Sequence, residues 1–180
     1  MSEKFQNLIK SLETDLKQVD KIILSFAQGK SPLIQEISHH LIASGGKRIR
    51  PVLLILAAKL CGSTSENHHY NLAAAVELIH SATLLHDDVV DTSYVRRGKK
   101  TANAIWDNKP SILVGDYLFS KSFQLMVEAN SLKVLSVLAD ASATISEGEI
   151  LQLSAVKNIN IDEETYFKII DGKTAALFAA

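Results

Sequence analysis

An all-α fold is what this sequence predicts, and three observations predict it. Apolar residues make up 47% of the 180, while glycine (8) and proline (3) are scarce. Leucine, isoleucine and alanine dominate, so few residues oppose helix. Apolar positions recur at three- and four-residue spacing along most of the chain, and no segment alternates with the period of two that a half-buried strand shows. The length suits one helical domain over residues 1–180.

The first predicted helix covers residues 2–28. Phe5, Leu8, Ile9, Leu12, Leu16, Val19, Ile22, Ile23 and Phe26 form its apolar stripe, and Gly29 ends it. The second is "SPLIQEISHHLIAS", with Ser31 as N-cap, Pro32 at its first position and Gly45-Gly46 as its stop. Pro51 opens the third, "PVLLILAAKLCG". A long fourth helix over 66–92 is apolar on most faces, which marks it as central. Residues 93–100 read as a polar, basic loop and "TANAIWDNK" as a short helix. Helices at about 111–129, 131–156 and 162 onward complete the pattern. The last one, "YFKIIDGKTAALFAA", is still in apolar register at residue 180, so we expect a chain cut inside a helix.

Bulk properties exclude several functions. A net charge of −1 gives no general attraction to nucleic acid or anionic membrane. The single Cys61 forbids an internal disulfide and fits a reducing compartment. The opening "MSEKFQNLIK" lacks the layout of a signal peptide, and no apolar run is long enough to span a bilayer. The expected location is cytoplasmic, with no transmembrane segment.

The chemistry-bearing segment is "HDDVVD" at 86–91, which closes the central helix. With His80 set at zero on a helical wheel, Asp87 falls at about −20° and Asp91 at about +20°, while Asp88 stands aside at roughly +80°. Asp87 and Asp91 are ~6 Å apart along the axis, so one metal ion can bridge them. An all-oxygen donor pair favours Mg²⁺ over Zn²⁺. A solvated helix end would carry the same acids, but acids at a helix C-terminus oppose the macrodipole unless a cation compensates. Two basic elements flank them. "GGKRIRP" (45–51) puts Lys47, Arg48 and Arg50 in a turn before a helix, a place suited to a diphosphate; "VRRGKK" (95–100) follows Asp91. Taken alone, each is an exposed basic loop, and His80 is a core histidine. Lys173 and Thr174 form a polar pair on an otherwise apolar helix face.

In their joint order, "GGKRIRP", "ELIHSATLLHDDVVDTSYVRRGKKTANAIW", "LVGDYLFSKSFQ", "EGEILQL" and "DGKTAALF" resemble the all-trans polyprenyl diphosphate synthases, most closely the octaprenyl type. The resemblance covers about residues 30–180. It implies a helical bundle around a deep apolar cavity (the isoprenoid synthase fold), a homodimer, and Mg²⁺ as cofactor. It implies two substrates, isopentenyl diphosphate and an allylic prenyl diphosphate, and contact with a membrane surface when product leaves. Lys47, Arg50, His80 and Arg97 would hold isopentenyl diphosphate. Asp87 and Asp91, supported by Asp88, would bind Mg²⁺ on the allylic diphosphate. Arg96, Lys173 and Thr174 would contact that same diphosphate, and Gln152 would lie near the reacting carbons. The catalytic set is then Asp87, Asp91, Arg96 and Lys173. Ala82 and Thr83, small residues one turn below Asp87, would let a long tail pass. The family's second aspartate-rich motif is absent from these residues, so the chain is expected to be the N-terminal part of the synthase domain, with little elongation on its own.

Two other readings compete. One is a non-catalytic regulatory or partner subunit that binds prenyl diphosphate. The other is a helical metal-dependent phosphohydrolase, which would need His39, His40, His68 and His69 to converge with "HDD".

Overall fold

A computed structural model describes residues 3–26, 28–63 and 68–180. It contains α1 (Glu3–Ser11), α2 (Glu13–Phe26), α3 (Pro32–Ala43), α4 (Ile49–Leu60), α5 (His68–Val90), a two-strand ribbon of β1 (Val95–Arg96) and β2 (Lys99–Lys100), α6 (Ala102–Trp106), α7 (Asn108–Glu128), α8 (Leu132–Ala155), α9 (Glu163–Ile170), a π-helical turn (Asp171–Ala175) and α10 (Ala176–Ala179). The expected all-α class holds. Among the described residues no helix is long and apolar enough to cross a membrane.

Several boundaries differ from expectation for definable reasons. The first helix is interrupted at Leu12, whose N–H is shared between the carbonyls of Leu8 (3.3 Å) and Ile9 (3.1 Å). Of its expected span, 2–28, Ser2 and Ala27 lie outside the described residues, and α2 ends at Phe26; Glu66 and Asn67 of the fourth helix also lie outside them. Ser31 is the N-cap of α3 with Pro32 behind it, but its side chain makes no capping bond. α4 begins before Pro51, at Ile49, because proline is tolerated anywhere in the first turn, where N–H groups have no helical partner. α7 likewise begins at Asn108, so Asn108 and Lys109 leave the short helix and join the long one. The expected basic loop holds a ribbon, with Val95 opposite Lys100 and Arg96 opposite Lys99. Arg97 (φ 51°) and Gly98 (φ 77°) both take left-handed conformations, the requirement of a type I′ turn.

The chain divides into two compact units, Met1–Ala129 and Asn130–Ala180. In the first, α5 is the central element and packs chiefly on α7, then on α4 and α2. Ala73, Ala74, Ala75, Ile79, Ala82 and Leu85 of α5 are fully enclosed, against Val52 and Ile55 of α4 and Val114, Leu118, Leu125 and Met126 of α7. Each large side chain buried this way contributes about 1.5–3 kcal/mol. The small residues on α5 let α4 and α7 approach closely. Asp15 ties α2 to α4 and α5 by accepting from Lys59 (2.6 Å) and Tyr70 (2.7 Å).

The second unit is built on α8, which packs against the π turn, α10 and α9. Ser131 and Asp162 cap α8 and α9 through their side chains. Gly148 of α8 meets Gly172 of the π turn backbone to backbone; a Cβ on Gly148 would lie 2.7 Å from the Lys173 nitrogen.

Candidate active site

α5 delivers the acids. Its end is a Schellman turn: Ser93 N–H donates to Asp88 C=O (2.9 Å) and Thr92 N–H to Val89 C=O (3.1 Å). The left-handed position, usually glycine, is Thr92 (φ 48°). A β-branched residue there is a true outlier costing roughly 1–2 kcal/mol, the kind of strain found at functional sites. The hydroxyl of Thr92 donates to Asp91 C=O (2.8 Å) and offsets part of it. Asp91 N–H donates to Asp87 C=O (2.8 Å), so the two acids stand one helical turn apart as the wheel required. Asp87 is half-buried and Asp91 exposed.

Asp88, expected to support the metal, has protein partners of its own. It is 3% exposed. Its Oδ1 accepts from Arg96 Nε (2.9 Å) and Nη2 (2.8 Å). Asn103 Nδ2 donates to its backbone carbonyl (3.1 Å). Asp88 therefore braces Arg96, while Asp87 and Asp91 point from another face of the helix. Among the described residues no group of three or more His, Cys, Asp or Glu side chains comes together as a metal cage. The histidine cluster a phosphohydrolase needs is thus not assembled: His40 Nε2 donates to Lys100 C=O (2.7 Å), and His69 stacks on Tyr70.

The basic elements converge on His80. The ribbon is tied to the end of α3, where Lys99 Nζ donates to Ala43 C=O (2.7 Å). A cation there also answers the negative end of the helix dipole. Arg97 lies over Gly46; a Cβ at that glycine would sit 2.9 Å from Arg97 Nη1. Burial pushes the His80 imidazole down to about 3, and the positive charges of Arg50, Arg97, Arg96 and Arg48 push the same way. His80 is therefore neutral near pH 7 inside a concentration of guanidinium groups. Burial also lowers Arg50, opposed by the carboxylate of Glu77. Lys47 is exposed on the same turn.

Sequence reasoning passed over Glu77 and the partners of His86, and took Arg48 only as one cation of a basic turn. Glu77 is 6% exposed and accepts from Arg48 Nη1 at 2.6 Å. Arg48 itself sits in the left-handed region (φ 49°) as N-cap of α4. His86 Nε2 lies 3.2 Å from Ile112 C=O and 3.3 Å from Asp116 Oδ1, in a space that exists because residue 115 is glycine. A lone acid in "LAAAVELIH" was the available signal for Glu77, since a buried carboxylate demands a cation. Ala82 is completely buried, and the half-buried Thr83 donates to His80 C=O (2.8 Å).

In the second unit, Lys173 Nζ pairs with Glu149 Oε2 at 2.8 Å. Lys173 and Thr174 belong to the π turn, and such turns recur at functional sites. Thr174 also lines an open hollow of about 700 Å³ with Phe167, Ile170 and Ala175. Gln152 is half-buried on α8.

This arrangement has the fold of the all-α isoprenoid synthases. A polyprenyl synthase from Caulobacter crescentus CB15, crystallised in complex with calcium and isoprenyl diphosphate, matches with a TM-score of 0.94 at 48% identity, over 97% of this chain and 53% of that one. A decaprenyl diphosphate synthase from Rhodobacter capsulatus matches with a TM-score of 0.93 at 50% identity, over 97% and 54%. The polyprenyl synthetase family model matches residues 31–180, and the chain belongs to that family. Octaprenyl diphosphate synthase of Escherichia coli (strain K12) is 47% identical over 166 residues, 92% of this chain and 51% of that protein. The geranyl-diphosphate-specific all-trans-nonaprenyl-diphosphate synthase of Rhodobacter capsulatus is 41% identical over 173 residues, 96% and 53%. The chain spans about half the length of the curated relatives it matches.

Proposed function

We propose that the protein is a prenyltransferase that adds isopentenyl diphosphate units to an allylic diphosphate, building a long all-trans chain of the octaprenyl type. One observation carries this reading: the central helix ends in an acid pair one turn apart and carries a neutral histidine surrounded by guanidinium groups from the ribbon and from the start of α4. The similarity to octaprenyl, nonaprenyl and decaprenyl synthases supports the long product.

Asp87 and Asp91 fit Mg²⁺. They are hard oxygen donors, and the ion ordinarily takes only one or two carboxylates and completes its shell with water and phosphate. Bound there, Mg²⁺ would neutralise charge on the departing pyrophosphate. Arg50 and Arg97 grip the diphosphate of isopentenyl diphosphate, with Lys47 at the rim. His80, being neutral, donates one hydrogen bond without adding charge. Arg96 is presented by Asp88 toward the allylic diphosphate, and for the second unit Lys173 and Thr174 keep the role of diphosphate ligands, with Gln152 beside the reacting carbons. As the allylic C–O bond breaks, fixed cations meet the developing negative charge. The alkene of isopentenyl diphosphate attacks the allylic carbon, and the proton then lost passes to the pyrophosphate, so no protein base is required. Ala82 and Thr83 leave room for the tail. The reading takes the protein as a cytoplasmic homodimer that hands its product to a membrane surface.

Calorimetry with a non-hydrolysable allylic diphosphate tests this. The expected result is Mg²⁺-dependent binding that Asp87→Ala abolishes. Equal binding with and without Mg²⁺, or an unaffected Asp87→Ala, would reject it.

A further inference from the structure

Arg48 sits between two residues proposed to hold a diphosphate, Lys47 and Arg50, and carries the same charge. Its geometry assigns it elsewhere. Nη1 donates to Glu77 Oε1 at 2.6 Å, and Nε lies 3.4 Å from Asp20 Oδ1. The Glu77 side chain is 8% exposed and buried against that guanidinium, with the charge of Arg50 also close by. Arg48 also accepts the first hydrogen bond of α4, from Val52 N–H (3.0 Å), while holding a left-handed backbone. One residue thus joins α2 through Asp20, starts α4, and locks to α5 through Glu77. Glu77 precedes His80 by three positions and shares its face of α5.

We propose that Arg48 and Glu77 are a positioning pair: the ion pair fixes the strained turn that aims Lys47 and Arg50 at the diphosphate, and Arg48 is not itself a phosphate ligand. The inference rests on reading the cluster around His80 as a diphosphate site. It runs against simple charge counting. If Arg48 were a ligand restrained by Glu77, removing the acid would free a cation and strengthen anion binding. If the pair positions the turn, removing the acid loosens the turn and weakens binding. The two roles give opposite signs.

The experiment is calorimetric titration of the 180-residue chain with inorganic pyrophosphate in Mg²⁺-free buffer, which isolates the basic cluster from the acid pair. Glu77→Gln keeps the shape and removes the charge. Arg48→Gly keeps the left-handed turn accessible and removes the guanidinium. Each is expected to weaken pyrophosphate about tenfold, and the double variant is expected to bind no more weakly than the weaker single one, because both break one interaction. Glu77→Asp, which retains the charge one methylene short, is expected between wild type and Glu77→Gln. It also carries the comparison if Glu77→Gln does not fold by circular dichroism. Tighter binding in Glu77→Gln, additive losses in the double variant, or Glu77→Asp indistinguishable from wild type would each overturn the pairing. A wild-type chain that ignores pyrophosphate would instead overturn the diphosphate reading beneath it.

Discussion

Gly115→Ala in α7 brings two opposing effects into one measurement. In a helix interior, alanine is favoured over glycine by about 1 kcal/mol. At this position the new Cβ would fall on the His86 ring, 2.6 Å from Cδ2 and 3.3 Å from Cε1. The ring must swing out and give up its 3.2 Å contact with Ile112 C=O. That hydrogen bond contributes about 1 kcal/mol. The neighbouring contact to Asp116 adds little, since the side chains are 37% and 59% exposed. Crowding a packed helix crossing costs a further ~1–3 kcal/mol. Gly115→Ala should therefore destabilise by about 1–3 kcal/mol. In a His86→Ala background the obstacle is gone and the propensity gain remains, so the same substitution should stabilise by about 1 kcal/mol. Thermal melts of the four proteins read this directly, at roughly 2–4 °C per kcal/mol for a chain of this size. The reasoning fails if Gly115→Ala raises the midpoint in both backgrounds, or lowers it equally in both.

Other expectations follow from the same geometry. Gly148→Ala meets backbone, not a mobile side chain, so no background substitution should rescue it; a loss of about 2 kcal/mol or more in urea denaturation is expected, and a neutral result would contradict the close approach to Gly172. Asp88→Ala should cost about 3 kcal/mol by stripping Arg96 of its buried carboxylate, whereas the exposed Asp91→Ala should change stability by under about 0.5 kcal/mol while removing Mg²⁺-dependent binding. Reversed magnitudes in denaturation would show that Asp88, not Asp91, is the open ligand. His80 is depressed from 6.5 to about 3, so below pH 6.5 the unfolded chain takes up a proton that the folded chain refuses. Stability should then fall as pH drops from 6.5 toward 3, by up to about 1.4 kcal/mol per unit from this group. His80→Gln should flatten that slope between pH 6.5 and 4; urea midpoints with the same pH dependence in both proteins would refute it.

Much of the helical layout was legible because α3, α4 and α5 carry unbroken apolar periods between clear stops such as Gly45-Gly46. What escaped was what periodicity cannot register. Leu12 keeps the apolar stripe running through an interruption, since it is itself 3% exposed. The ribbon is too short for a period, though Arg97-Gly98 was a turn signal. On the site, the wheel separated Asp88 from Asp87 and Asp91, yet could not say what it met, because Arg96 reaches it only after the chain reverses through the Schellman turn. Glu77 was hidden by its own helix: nothing in the spacing of α5 pairs it with Arg48, 29 positions earlier.

The π turn at Asp171–Ala175 has a consequence for any attempt to rebuild this segment. Such a turn is a helix with one residue inserted, and each inserted residue advances everything after it by about 100° and 1.5 Å. Ala176–Ala179 consequently present a different face from the one Glu163–Ile170 would project forward. Deleting a single residue from "DGKTA" would smooth the helix, swing Leu177 out of its buried position, and turn Lys173 away from Glu149. Insertions and deletions here are rotations, and a sequence one residue shorter at this point would have to find its lysine somewhere else.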